Sequence, residues 1–247
     1  NGLGLTLGNV NLGTGNFTLN TTNGNLTQTG ALTSNVADIT TGAGTATLTN
    51  AGNNFTSFNL SSTNTASVVD TGGLALGTVN AGTGNFTLDT TGGALTQTGA
   101  LTSNVADITT GAGTATLTNA GNNLTGLALN TSAAASVTDG SGGLDLGAST
   151  VGGALTLNIA GDVTQSGSLV SSTSTTFNTS AVDTVLNLAG QDNNLTGAVN
   201  LAADGGGNYT TVEIRNDSTG AGAIGGLGTA IGNLTLNYTA ANIDLAT

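Results

Sequence analysis

The sequence predicts an all-β parallel solenoid. Three observations carry that expectation: a long perfect repeat, a period-two alternation of apolar and polar residues, and no competing helical pattern. The segment Leu26 to Asn54, LTQTGALTSNVADITTGAGTATLTNAGNN, recurs unchanged from Leu95 to Asn123, a 69-residue displacement. GTGNF at Gly13 recurs at Gly82 with the same displacement, so the register extends beyond the identical block. Repeats of this kind bury a core only by stacking on their neighbours.

Within each copy the apolar residues alternate with Thr, Asn and Ser, as in Phe17/Leu19, Ala46/Leu48, Phe86/Leu88, Ala115/Leu117 and Leu155/Leu157. A period of two places one face of a strand in a core and the other in solvent. Gly- and Asn-rich turns such as TTNGN at Thr21, TTGG at Thr90 and NAGNN at Asn119 break the runs. The expected architecture is a single β-solenoid over 1–247 with about eleven coils of about 23 residues, three coils to a copy. At about 4.8 Å per coil the rod is roughly 50 Å long. A string of small β-sandwiches is the competing fold, but a copy is short for one.

Copies lie near 4–72, 73–142, 143–203 and 226–247. The third is diverged: GGLDLG at Gly142 echoes GGLALG at Gly72, and DVTQSGSL at Asp162 echoes ALTQTGAL at Ala94. A non-repeating insertion, DGGGNYTTVEIRNDSTGAGAIGG at 204–226, is expected to leave the coil surface as a loop or extra strand, and to be removable without unfolding the rod. Leu, Val, Ala and Ile suit a narrow lumen, and Phe17, Phe55, Phe58, Phe86 and Phe177 are expected to mark its wider places. The pairs Asn53/Asn54, Asn122/Asn123 and Asn193/Asn194 are candidates for amide ladders at turns, although about three coils separate them.

Composition narrows function. Arg215 is the only cation against thirteen acids, for a formal charge of −12, so a phosphate backbone is repelled and nucleic acid is excluded as a partner. No apolar run approaches the roughly 20 residues that span a bilayer, so no membrane insertion is expected in this segment. Without Cys there are no disulfides and no thiolate metal sites. The opening at Asn1, with neither Met nor a signal peptide, is expected of a piece of something longer.

The chain is expected not to be an enzyme, and no residue is nominated as catalytic, cofactor-binding or metal-ligating. Glycan hydrolysis needs two carboxylates about 5–9.5 Å apart. Asp38, Asp89, Asp107, Asp145, Asp162 and Asp192 read as isolated acids, mostly beside turns. Nucleophilic triads fail for want of His and Cys. Arg215, beside Glu213 and Asp217, reads as a surface ion pair. DGSGGLD at Asp139 and DGGGN at Asp204 offer oxygen ligands for calcium but lack a regular ligand spacing. Asn-x-Thr triplets at Asn16, Asn25, Asn54, Asn85, Asn123, Asn194, Asn208 and Asn233 follow from Asn opening a turn-to-strand junction. Thr-x-Thr pairs such as Thr47/Thr49 and Thr116/Thr118 suggest an ice-binding face, but the third copy replaces TATLTNAGNN with VLNLAGQDNN.

From Leu74 to Gly126 the chain, LALGTVNAGTGNFTLDTTGGALTQTGALTSNVADITTGAGTATLTNAGNNLTG, resembles the repeats of filamentous-haemagglutinin-like adhesins of two-partner secretion and autotransporter systems. The shared signs are an LxLG start, a GNFTL or GALTL strand, a TQTGALT segment and a TATLTNAGNN run. The resemblance implies a right-handed parallel β-helix, export to the cell surface or outside the cell, and adhesion to host, matrix or neighbouring cells. No secretion domain or anchor is recognisable, so the segment is expected to be shaft only. The expected function is a non-enzymatic shaft acting as spacer or adhesive scaffold. The alternatives are a self-assembling filament or sheath subunit, with copies of itself end to end as partners, and an ice-binding solenoid.

Overall fold

The computed structural model describes residues 3–228 and 230–246. Among the described residues there are 27 strands and no helix. One continuous parallel ladder begins with Leu5–Leu7 and passes through Leu26–Gln28, Ala46–Leu48, Ala66–Val69, Phe86–Asp89 and Leu101–Gly111. It continues through Asn123–Thr131, Leu144–Leu146, Val163–Gln165, Thr184–Leu188 and Tyr209–Asn216 to Ile231–Tyr238. Eleven steps join these strands, so the rod has about eleven turns and a length of roughly 50 Å.

A second ladder runs alongside the first. Its strands include Phe17–Asn20, Leu32–Gly42, Asn54–Ser62, Leu74–Asn80, Leu95–Gln97, Ala115–Leu117, Ala135–Asp139, Leu155–Ile159, Thr175–Thr179, Val199–Ala203 and Ile224–Gly225. The chain crosses from one ladder to the other about every ten residues. Longer strands bend to add a third side: Leu32–Gly42 pairs with Val10 at its start and with Phe17 farther on.

The turn count matches the expectation, but copies and coils are not in the expected ratio. In the first two copies a turn takes about twenty residues, as in Leu26↔Ala46, Ala46↔Ala66, Ala66↔Phe86 and Ala37↔Phe58, with extremes of eighteen at Phe58↔Leu76 and twenty-two at Val79↔Leu101. The 69-residue repeat therefore makes three and a half turns, not three. Leu26 lies on the first ladder with Leu5 and Ala46, whereas the identical Leu95 lies on the second with Leu74 and Ala115. Each copy is thus turned half a revolution from the one before.

The corner TGAGT shows why the turn is so short. Gly42 and Gly111 adopt φ of 55°, a left-handed conformation that side chains disfavour. A Cβ on Gly44 or Gly113 would lie 2.2 or 2.1 Å from the carbonyl oxygen of the glycine one turn away, Gly24 or Gly93. The backbone of successive turns touches here, and no side chain fits between.

Leu, Ile, Val and Ala fill the lumen. Phe55, Phe58, Phe86 and Phe177 are buried, while Phe17 is only partly covered. Small residues make room for the rings: Phe86 lies between Ala66 and Ala106, and Phe58 follows Ala37. Three rings meet, with centroids 6.0 Å apart for Phe55 and Phe58 and 6.5 Å for Phe58 and Phe86.

The insertion at 204–226 lies inside the rod, not outside it. Tyr209–Asn216 is a ladder strand between Thr184–Leu188 and Ile231–Tyr238, and Tyr209, Val212, Ile214 and Ile224 are buried. The Tyr209 hydroxyl donates to the Phe177 carbonyl at 3.0 Å. Its inward Val212 and Ile214 continue the same alternation as the rest, so the stack absorbs the segment by widening its turns. The pairings Thr175↔Val199 and Val199↔Ile224 mark these wider turns, each a few residues longer than those of the first two copies.

Buried amides bind neighbouring turns together at the TQ and NN positions. Asn53 donates to the carbonyls of Leu48 and Val69 at 2.9 and 3.1 Å and to Gln28 Oε1 at 3.1 Å, and accepts the Leu32 N–H at 2.9 Å. Gln28 donates back to its Oδ1. Asn122 with Gln97 and Asn193 with Gln165 repeat the arrangement. These amides are not stacked on one another; each ties its own turn to the two adjacent ones.

Candidate functional surface

The acids fall into distinct settings. Asp38 and Asp107 are not turn residues: each points outward from the middle of its strand. Asp89 caps the end of its strand by accepting the Thr91 N–H at 2.7 Å, and Asp162 accepts the Val185 N–H at 2.8 Å. Asp145 accepts hydroxyls from Thr164 and Ser166. On the ladders, Asp38, Asp89, Asp107 and Asp145 each lie opposite an uncharged residue.

Arg215 pairs with Asp192 of the preceding turn at 2.7 Å and with Asp217 at 3.0 Å, where the sequence suggested Glu213 and Asp217. The Thr239 hydroxyl, donating at 2.5 Å, and the guanidinium hold the Asp217 carboxyl below its ordinary range.

Two buried carboxylates escaped the sequence reading as a pair. Asp70 accepts the N–H groups of Phe55 at 2.6 Å and Gly72 at 2.9 Å. Its repeat equivalent Asp139 accepts only Leu124 N–H, at 3.0 Å, and its Oδ2 is buried without a partner. Burial raises both groups, and pushes Asp139 up to about 6. Asn216, in the 204–226 segment, takes this place at the end of the rod, accepting from Leu195 and Ser218 and donating to the Leu195 carbonyl. The alternation Ala66, Val68, Asp70 was the available signal, since it puts Asp70 on the inward phase.

The two Asp-Gly strings considered for calcium do not converge. Asp139 lies on the rung series Asp139, Ile159, Thr179, Ala203, which places Asp204 three strand spacings away, roughly 14 Å. Ligands of one calcium ion lie within about 2.6 Å of it. Among the described residues no three acidic side chains group around a common point.

What the rod presents outward is a set of hydroxyl rows. Thr6, Thr27, Thr47, Ser67 and Thr87 occupy successive rungs of the first ladder before Asp107 ends the row. Thr96, Thr116, Ser136, Thr156 and Thr176 do so on the second, before Asn200. Thr27, Thr47, Ser67 and Thr87 are the 69-residue equivalents of Thr96, Thr116, Ser136 and Thr156. The half-turn thus deals one row to each ladder.

Residues 1–61, 63–131 and 132–202 match the DUF5649 repeats, described as repeats of unknown function. The chain belongs to the DUF5649 family. The central DUF5649 match has the same 69-residue length as the perfect repeat, with its limits at Thr63 and Thr131 instead of at the GGLALG restart. A repeat that closes on itself can be cut at any phase. No curated protein and no solved structure matches the chain. Among the described residues no helix is long and apolar enough to cross a membrane.

Proposed function

We propose that this DUF5649 chain is a non-enzymatic shaft, a spacer and scaffold in a bacterial extracellular adhesin or surface fibre. The observation that carries this reading is the uninterrupted pair of ladders, which makes about eleven turns one stiff body whose length grows with each added copy. The likeness of Leu74 to Gly126 to filamentous-haemagglutinin-like repeats supports export and adhesion, as does a surface of Thr, Asn and Ser with a formal charge of −12.

A self-assembling filament is the second reading, and the ends of the described ladders are compatible with it. Leu3, at 78 % exposure, and Leu12, at 42 %, are open at one end, as are Ile243 and Leu245 at the other, at 44 and 49 %. A further turn stacked on either end, from a second copy or from the same polypeptide, would cover these side chains and pair the strand edges. Electron microscopy of the purified chain at rising concentration separates the readings. Isolated rods roughly 50 Å long favour the shaft. Fibres of the same width favour the filament, and particles that are not rods overturn both.

A further inference from the structure

Beside the second hydroxyl row the surface opens into a trough. Thr138, Asn158 and Asn178 follow one another on successive rungs, two residues beyond Ser136, Thr156 and Thr176. At the adjoining corner stand Gly140, Ala160, Ser180 and Asp204, and the space between encloses about 420 Å³. That volume is in the range of small-molecule sites, about 300–1,000 Å³. In the preceding copy the positions of Gly140 and Ala160 are Thr71 and Thr91. Thr91 lays its side chain along that corner, donating to the Asp70 carbonyl at 2.9 Å. The loss of those two Thr side chains leaves the corner open where the second copy meets the third.

The lining has a definite polarity. Asn178 donates to Asn158 Oδ1 at 3.1 Å and to Asp204 Oδ2 at 2.5 Å, and Asn158 donates to Thr138 Oγ1 at 3.3 Å. The amide donors are engaged within the trough, while Asn178 Oδ1 is buried and accepts nothing. Closed off from the surface, that oxygen is not offered to a ligand. Asp204 adds an exposed carboxylate at one end, Asp139 a buried one in the wall, and the lining contains no cation and no aromatic ring. The Asp139–Asp204 separation excludes an ion shared between them. A bound β-strand is excluded by side chains, not free backbone groups, lining the trough.

We propose that the trough and the adjoining row Ser136, Thr156 and Thr176 bind a neutral glycan chain lying along the rod axis. Sugar hydroxyls donate to the exposed Asp204 carboxylate, which Asn178 holds in place, and exchange hydrogen bonds with the row, whose hydroxyls repeat at about 4.8 Å. The carboxylate and the overall negative charge turn sulfated and uronic glycans away. This site goes beyond the shaft role and stands whether or not the rod polymerises.

The test is a titration of the intact chain with neutral hexose and N-acetylhexosamine oligosaccharides, following the side-chain amide resonances of Asn158 and Asn178. A neutral oligomer should shift both, a sulfated one neither. Ala160→Thr restores the residue found at Thr91, so its thermal unfolding should match the parent while binding weakens at least tenfold; Asn178→Ala, a second variant, should weaken it similarly. The proposal is overturned if no neutral oligomer moves these amides, if Ala160→Thr and Asn178→Ala bind like the parent, or if calcium chloride alone produces the shifts. None of these outcomes depends on whether rods or fibres form.

Discussion

The blocks Leu26–Asn54 and Leu95–Asn123 have one sequence and lie in opposite phase, whereas the third copy has a different sequence and makes the same half-turn step. Phe17 is on the second ladder, Phe86 on the first, Leu155 on the second and Leu234 on the first. The intervals Phe17 to Phe86 and Phe86 to Leu155 are equal and that from Leu155 to Leu234 is ten residues longer, yet each contains seven crossings between ladders. The ten additional residues widen the turns around 199 and 224 without adding a crossing. What the fold holds constant is therefore the number of half-turns, because each crossing must return an inward-facing strand to a ladder. The number of residues in a turn is free as long as the corners close.

That comparison can be broken most severely by deletion. Removing Ala46–Thr65, one whole turn, should leave every later strand on its own ladder and give a shorter rod with cooperative unfolding. Removing only Ala46–Phe55, a half-turn, should place each later strand on the wrong ladder and abolish the cooperative transition in circular dichroism. Equal stability of the two would sink the half-turn account.

Next in size is the loss of an amide tie. Asn122→Ala strands Gln97, the Leu101 N–H and the carbonyls of Leu117 and Thr138 in the interior. An unmet buried polar group costs about 1–3 kcal/mol, so a loss of about 3–5 kcal/mol is expected in urea unfolding. The same change at Asn53, at the opposite phase, should cost a similar amount, since its partners are equivalent.

The equivalent corners at Asp70, Asp139 and Asn216 give an effect of opposite sign. Asp139 is raised from 3.8 to about 6, so the folded chain binds its proton more tightly than the unfolded chain. Stability should rise as pH falls from above 6 towards 4, and the charged form should cost up to about 3 kcal/mol at pH 8. Asp139→Asn, copying Asn216, should recover most of that at pH 8 and little at pH 4. Asp70→Asn should gain less, because the Asp70 carboxylate already accepts two N–H groups. The readout is the difference in melting temperature between the two pH values.

The smallest expected effect belongs to the outward rows. Thr47→Ala and Thr116→Ala should each change stability by less than about 0.5 kcal/mol, as surface changes usually do. Gly111→Ala, at φ of 55°, should cost about 1–2 kcal/mol by comparison.

Much of this architecture was legible in the residues. Alternation in Ala46/Leu48 and Leu155/Leu157 identified strands and their inward sides, and the burial of these positions agrees. The same alternation extends through Val212 and Ile214, which the sequence reading placed outside the rod because their segment has no repeat partner. Repetition and burial are separate signals, and burial follows the alternation. The hydroxyl rows were half legible: Thr47/Thr49 and Thr116/Thr118 stood out, but not their neighbours Ser67, Thr87, Ser136 and Thr156, which come from different parts of the repeat. The trough was not legible at all, since it depends on three successive corners lacking bulk at one position.

The sequence by itself determined the strands, their inward faces and the 69-residue period, because those depend on local alternation and on identity along the chain. Only the tertiary structure decided which residues stack. The turn is closed by backbone contact at corners such as Gly44 on Gly24, and the resulting length of about twenty residues does not divide the period.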